Sequence, residues 1–251
     1  ASGVISLKRN IQYGILYAVL LGCIAVFAAL TARSFSHIST MASGLAESAA
    51  PVIVIDAGHG GEDSGAVSAS GLYEKDVNLS VAVQLGEMLE LSGYSVVMIR
   101  TEDVSVNDEG LSTVRERKVS DLHNRLKAVE KQGENCILVS IHQNHFSQSQ
   151  YSGAQMFYSP NHEGSAELAE AIRAQITGLL QPENKRESKP ATDSIYLLWN
   201  AKIPAVIVEC GFLSNPEESE KLADPRYQQQ MAFAIYAGLV EYLSPAPVPA
   251  E

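Results

Sequence analysis

Three apolar runs in this sequence each stop on a residue that can hold a metal ion or move a proton. The first, Val52-Ile53-Val54-Ile55, gives way to Asp56-Ala57-Gly58-His59-Gly60-Gly61. The second, Cys136-Ile137-Leu138-Val139-Ser140-Ile141, ends on His142-Gln143-Asn144, and the third, Ala205-Val206-Ile207-Val208, ends on Glu209-Cys210-Gly211. A fourth residue, Glu74, lies where Gly71-Leu72-Tyr73 leads towards a helix. Two imidazoles and one carboxylate, with an open fourth position for water, form a recognised catalytic zinc arrangement. A second carboxylate nearby can take the water's proton. His59, Glu74, His142 and Glu209 are therefore the candidate site.

These residues need elements that bring them together. β-branched runs without alternation suit strands covered on both faces. In open α/β sheets the ligand site lies past the carboxyl ends of the strands, where His59, His142 and Glu209 all fall. Val77, Val81, Leu85, Met88 and Leu89 have helical spacing, with Gly93 as a stop. A strand over 95–100 follows, and Asp121 reads as the cap of a helix carrying Leu122, Leu126 and Val129. Residues 153–158 read as a strand, Leu168, Ile172, Ile176 and Leu179 as a helix stripe, and 216–223 and 227–243 as helices. The alternation predicts one α/β domain with a mostly parallel twisted sheet flanked by helices on both faces.

The ends of the chain differ in kind. Residues 1–10 form a short basic N-terminus with Lys8 and Arg9, expected to stay in the cytoplasm. Residues 11–32 are 22 residues with Gln12 as the one strongly polar side chain. That length crosses a bilayer, so the segment is read as a transmembrane anchor, with a cleaved signal peptide as the alternative. Leu20-Leu21-Gly22-Cys23 offers a weaker lipoprotein reading, because apolar residues continue past Cys23. Residues 33–50 read as a flexible linker, 51–243 as the catalytic domain and 244–251 as a proline-rich tail. The net charge of -11 argues against nucleic acid as a partner. Three dispersed cysteines make no disulfide framework, and Cys210 should point away from the face that Glu209 presents.

Each candidate has a plainer reading. His59 among glycines suits a solvated turn. Glu74 suits the charged first turn of a helix, although Asp76 fits the cap better and leaves Glu74 outside the helix, free to reach a metal. His145 follows the same strand as His142 but sits on the loop, where a ligand is held less rigidly. His123 and His162 read as solvated. An unpaired acid at the end of an apolar strand, as at Glu209, costs several kcal/mol unless it is paired, metal-bound or functional. Arg100 and Asn144 are candidate substrate contacts, with a surface ion pair and loop capping as their plainer roles. The polar stretch 103–118 is long enough to wall a cleft.

The stretches Asp56-Ala57-Gly58-His59-Gly60-Gly61, Glu74-Lys75-Asp76, Ser140-Ile141-His142 and Val208-Glu209-Cys210-Gly211-Phe212-Leu213-Ser214-Asn215 resemble the motifs of zinc-dependent N-acetylmuramoyl-L-alanine amidases of the third amidase type. The resemblance spans residues 52–243, with four motifs in order. It implies one zinc per chain held by His59, Glu74 and His142, with Glu209 as catalytic acid/base. The implied reaction cleaves peptidoglycan between the lactyl group of N-acetylmuramic acid and L-alanine, outside the cytoplasm, with the N-terminal helix in the membrane. Ser140-Ile141-His142-Gln143-Asn144 and Gly153-Ala154-Gln155-Met156-Phe157-Tyr158 look most like the germination-specific, spore-cortex branch. That branch implies muramic lactam formation in the intermembrane space of the developing spore. Some spore-specific relatives depend on an activating lipoprotein, and some members of the wider family carry an autoinhibitory helix after the second histidine. Residues 183–193 look short for such a plug, so an open site is expected. Rival readings are a vegetative amidase for wall turnover or cell separation, a zinc peptidase, and a non-catalytic module that binds peptidoglycan or activates another hydrolase.

Overall fold

A computed structural model describes residues 50–244. The expectations for residues 1–49 and for the tail from 245 onward lie outside the described residues. Among the described residues, no helix is long and apolar enough to cross a membrane.

Six strands form one sheet: β1 (Val52–Ala57), β2 (Val96–Met98), β3 (Cys136–Asn144), β4 (Gln155–Tyr158), β5 (Lys189–Pro190) and β6 (Ala205–Phe212). Their order is β2-β1-β3-β6-β4-β5, so the last strand in sequence lies in the interior of the sheet. All pairings are parallel except β4 with β6, which makes the sheet mixed. The reversal has a local cause. Only residues 145–154 join β3 to β4, too few for the crossover that a parallel return requires.

Helices cover both faces, as the alternation predicts. On one face pack α1 (Glu74–Leu91), α3 (Gly164–Leu179) and α6 (Pro225–Leu243), with α5 (Pro216–Ala223) beside them. On the other lie α2 (Val114–Glu130) and the short α4 (Tyr196–Asn200). The period-2 geometry of the strands divides the core. Ile53, Ile55, Val139 and Ile141 meet the first helix layer, and Val54, Leu138 and Ile207 meet the second. In α1 the stripe of Val77, Val81, Leu85 and Leu89 is fully buried. Each such side chain contributes about 1.5–3 kcal/mol of transfer free energy, which anchors the helix whose first residue is Glu74.

Two helix starts differ from expectation. Tyr73, not Asp76, occupies the cap position of α1, and Glu74 is inside the helix rather than before it. The second helix begins at Val114, not after Asp121. Thr113 accepts a bond from the Glu116 amide, and the Glu116 carboxylate accepts one from the Thr113 amide, a capping box that starts the helix early. The polar stretch 103–118 is thus part loop and part helix.

A candidate metal site at the carboxyl edge of the sheet

The four predicted residues meet. His59 follows β1, Glu74 opens α1, and His142 on β3 lies in register with Glu209 on β6. His59 Nε2 lies 3.2 Å from Glu74 Oε1, and His142 Nδ1 lies 3.0 Å from the same oxygen. One donor atom from each of His59, Glu74 and His142 lies within 4.8 Å of the others. A tetrahedral ion with ligands at ~2.0–2.1 Å needs donors separated by roughly 3.3 Å, so this set fits zinc.

The chain shapes itself tightly around the cluster. His59 has φ of 62°, a left-handed backbone that non-glycine residues rarely adopt and that is costly enough to mark functional sites. Gly58 lets the His142 ring approach, since a Cβ there would lie 2.1 Å from Cε1 of that ring. Glu74 is held through both oxygens. Its Oε2 accepts from the Ala66 amide at 2.8 Å, and its Oε1 accepts from the Gln143 amide at 3.1 Å and from Asn78 Nδ2 at 3.3 Å.

Asp63, Arg125 and Arg100 complete the frame, the first two carrying no role in the sequence. His59 Nδ1 donates to Asp63 Oδ2 at 2.9 Å, which leaves Nε2 turned towards Glu74. This is the carboxylate-histidine support typical of metal ligands. The i,i+4 spacing from His59 to Asp63 was its one sequence signal. Two buried arginines grip the turn. Arg125 donates to the carbonyls of Ala57 and His59 and is paired with Asp56 and Asp121. Arg100 donates to the carbonyls of Ala57, Gly58, Lys75 and Glu102. That corrects the expectation that Arg100 contacts substrate: its guanidinium is occupied by backbone and only 3% of the residue is exposed. Asn144 ends β3 beside a bulge, opposite Phe212.

The electrostatics favour a cation. Burial opposes a charged His59, but hydrogen bonds to Asp63 and Glu74, with their charges, more than offset it and raise its pKa to about 9. Burial likewise pushes Glu74 up, yet hydrogen bonds and charge from the two imidazoles hold it far below the usual carboxylate range. Glu209 behaves oppositely. Its Oε2 is sealed from solvent and has no hydrogen-bond partner among the described residues. Burial, offset in part by the His142 charge and reinforced by Glu74, pushes its carboxyl up to about 7. Cys210, fully buried in the core on the opposite face, is pushed up to about 12 by burial, which leaves it no role as a nucleophile.

A cavity of about 340 Å³ stands over the cluster, lined among others by His59, His142, Glu209, Lys118, Leu122 and Tyr196. The wall expected from residues 103–118 is made largely by α2. The side chains of His59 and His142 stay 24% and 22% exposed, as an open site requires. Residues 183–193 hold the two-residue β5 in place of a plugging helix. His145 and His123 are exposed, and His162 is half-buried, accepting from the Gly164 amide at 3.1 Å.

An α/β sheet that gathers two imidazoles and two carboxylates at its edge has the parts of a hydrolytic enzyme. The family model described as N-acetylmuramoyl-L-alanine amidase matches residues 53–241, and the chain belongs to that amidase family. It is 36% identical over 200 residues to the germination-specific N-acetylmuramoyl-L-alanine amidase of Bacillus subtilis, covering 80% of this chain and 83% of that one. Its structure is similar to that of the CwlD amidase from Clostridioides difficile, solved in complex with the GerS lipoprotein. The TM-score is 0.74 at 41% identity, over 77% of this chain and 98% of that chain. N-acetylmuramoyl-L-alanine amidase AmiC2 of Nostoc punctiforme matches with a TM-score of 0.65 at 32% identity, over 78% and 98%.

Proposed function

We propose that this amidase is a zinc enzyme of the spore cortex, in which His59, Glu74 and His142 hold the metal and Glu209 moves the proton. The observation that carries the reading is Glu209, which lines the same cavity as His59 and His142 and whose Oε2 is sealed from solvent with no hydrogen-bond partner among the described residues. A carboxylate oxygen sealed from solvent without a hydrogen bond is costly and calls for a ligand or a proton to handle. When bound by these three residues, zinc would supply Lewis acidity, making water more acidic and the scissile carbonyl more polar.

The chain's own residues do the rest. Glu209, as carboxylate, accepts a proton from the attacking water and returns it to the departing L-alanine nitrogen. Asp63 keeps His59 in one tautomer, and the two arginines keep the turn that carries it rigid. Asn144 is the remaining candidate for holding polar groups of the substrate. The products are a free lactyl carboxylate and a released stem peptide.

The likeness to the germination-specific enzyme supports cortex cleavage as the step preceding muramic lactam formation, and a likeness to the probable cell wall amidase LytH of Staphylococcus aureus supports a place of action outside the cytoplasm. The solved complex of CwlD with a lipoprotein supports a lipoprotein partner here. Anchoring through residues 11–32 belongs to the same reading. The test is digestion of purified cortex peptidoglycan with zinc-loaded protein, followed by mass spectrometry. Free lactyl groups with intact peptides are expected, and Glu209→Gln should keep zinc but lose turnover. Shortened peptides would replace the reading with a peptidase, and no change at all with a binding module.

A further inference from the structure

We propose that Phe146 and Tyr151 form a shelf for a sugar ring of the glycan strand, beside the site that cuts the peptide. This deepens the amidase reading and rests on it. Both side chains lie in the connection from β3 to β4 and are exposed, Phe146 at 49% and Tyr151 at 40%. Their ring centroids are 5.0 Å apart and the planes meet at 82°, which makes an open corner.

Exposed aromatics on a loose loop would mean little, but this connection is pinned. The Phe146 amide donates to Ser214 Oγ at 3.0 Å, Asn215 Nδ2 donates to the Ser149 carbonyl at 2.9 Å, and the Gly153 amide donates to Glu218 Oε1 at 2.8 Å. Tyr151 stacks on the buried Phe212 at 6.4 Å, and the Arg186 guanidinium lies 4.5 Å over the Phe212 ring and 5.8 Å over Tyr151. Arg186 is itself fixed by a bond from Nε to the Ser152 carbonyl at 2.7 Å. The rings are therefore held in place before anything binds. Preorganisation of that kind lowers the entropy lost on binding.

Position and area choose the occupant. His142 pairs with Glu209, and Asn144 pairs with Phe212 two to three residues further along the same strands. Phe212, on which Tyr151 stacks, thus lies roughly 7–10 Å further along the same edge than the site, and the shelf continues outward from it. The muramic ring is joined to the scissile amide through its lactyl group, so the glycan strand runs outward from the site and its sugars are the groups that the shelf is placed to meet. A pyranose presents a face of C–H bonds polarised positive, which the negative face of an aromatic ring attracts. Two rings of ~200 Å² each at these exposures offer about 180 Å², enough for a sugar but far below the ~800 Å² that a protein partner needs per side.

The test compares the full chain with the double variant Phe146→Ser/Tyr151→Ser on two substrates: a muramoyl peptide with one sugar and a peptide-bearing tetrasaccharide of alternating N-acetylglucosamine and N-acetylmuramic acid. The expected result is a loss of at least about tenfold in kcat/KM on the tetrasaccharide, carried by KM, with the one-sugar substrate changed less than twofold. Equal loss on both substrates, or loss on neither, overturns the shelf. If the parent cleaves neither substrate, the amidase reading fails, and calorimetric titration with the peptide-free tetrasaccharide decides the shelf alone. Tenfold weaker binding in the double variant supports it there, and unchanged or undetected binding overturns it. Loss of lipoprotein co-purification with unchanged tetrasaccharide turnover would make the rings a partner surface and also overturn the proposal.

Discussion

Replacing Gly58 with alanine should disable the metal site through one methyl group. The Gly58 backbone is not left-handed, so alanine meets no backbone penalty there and the effect is purely one of space. Its Cβ would lie 2.1 Å from Cε1 and 2.2 Å from Nε2 of His142. Ordinary contact begins near 3.4 Å, so the ring must retreat by about 1.3 Å. Metal-ligand distances tolerate only about 0.2 Å, and misplacement by ~1 Å in a catalytic site costs about a hundredfold in rate. We expect zinc content well below one per chain and turnover reduced at least about 100-fold. Global stability should change little. Overpacking costs about 1–3 kcal/mol, the partly exposed ring can swing away, and alanine restricts the unfolded chain by about 0.4–1 kcal/mol in favour of folding. Zinc analysis, digestion kinetics and denaturant unfolding measure the three quantities. Gly71→Ala is the control: φ there is +86° with nothing within 4 Å of a new Cβ, so it should lose about 1 kcal/mol of stability and keep its zinc. Full zinc and parental turnover in Gly58→Ala would refute the placement of His142 as a ligand.

Asp63→Asn keeps the shape but removes the charge that supports His59, and zinc affinity measured by competition with a chelator should fall about 10–100-fold. In the metal-free protein, the raised Glu209 pKa means that the folded state binds more protons than the unfolded state between about 4.5 and about 7. The contribution of Glu209 to stability should therefore fall as pH rises through that window, by at most about 3 kcal/mol, and level off above it, while the raised His59 pKa carries a further fall up to about 9. Glu209→Gln should flatten that segment of a urea-unfolding profile against pH, and an unchanged slope would show that Glu209 is not its source.

Much of the site was readable because its residues end strands. A non-alternating β-branched run that stops on histidine or glutamate places that residue at a sheet edge, and His59, His142 and Glu209 all followed this rule. Glu74 was identified for a reason that the structure changes. It is the first residue of α1, and the helix itself aims it at the histidines. The frame was harder to read. Arginine is normally a surface residue, so nothing in the sequence marked Arg100 and Arg125 as buried clamps whose partners are mostly backbone carbonyls. The reversal of β4 was signalled only by the short 145–154 connection. The early start of α2 was visible as Thr113-Val114-Arg115-Glu116, a capping box outweighed by the polarity of its surroundings.

The position of β6 has a consequence for how the molecule comes into being. The last strand in sequence fills a slot between β3 and β4, so the sheet cannot close until residues beyond 205 have been made. Its pairing with β3 bridges more than sixty residues, the kind of non-local contact that forms slowly. A chain stalled or cut before that point lacks an interior strand along with Glu209, the proposed proton acceptor. Incomplete copies of this wall-cutting enzyme are thus inert by construction, because the step that finishes the fold is the step that arms it.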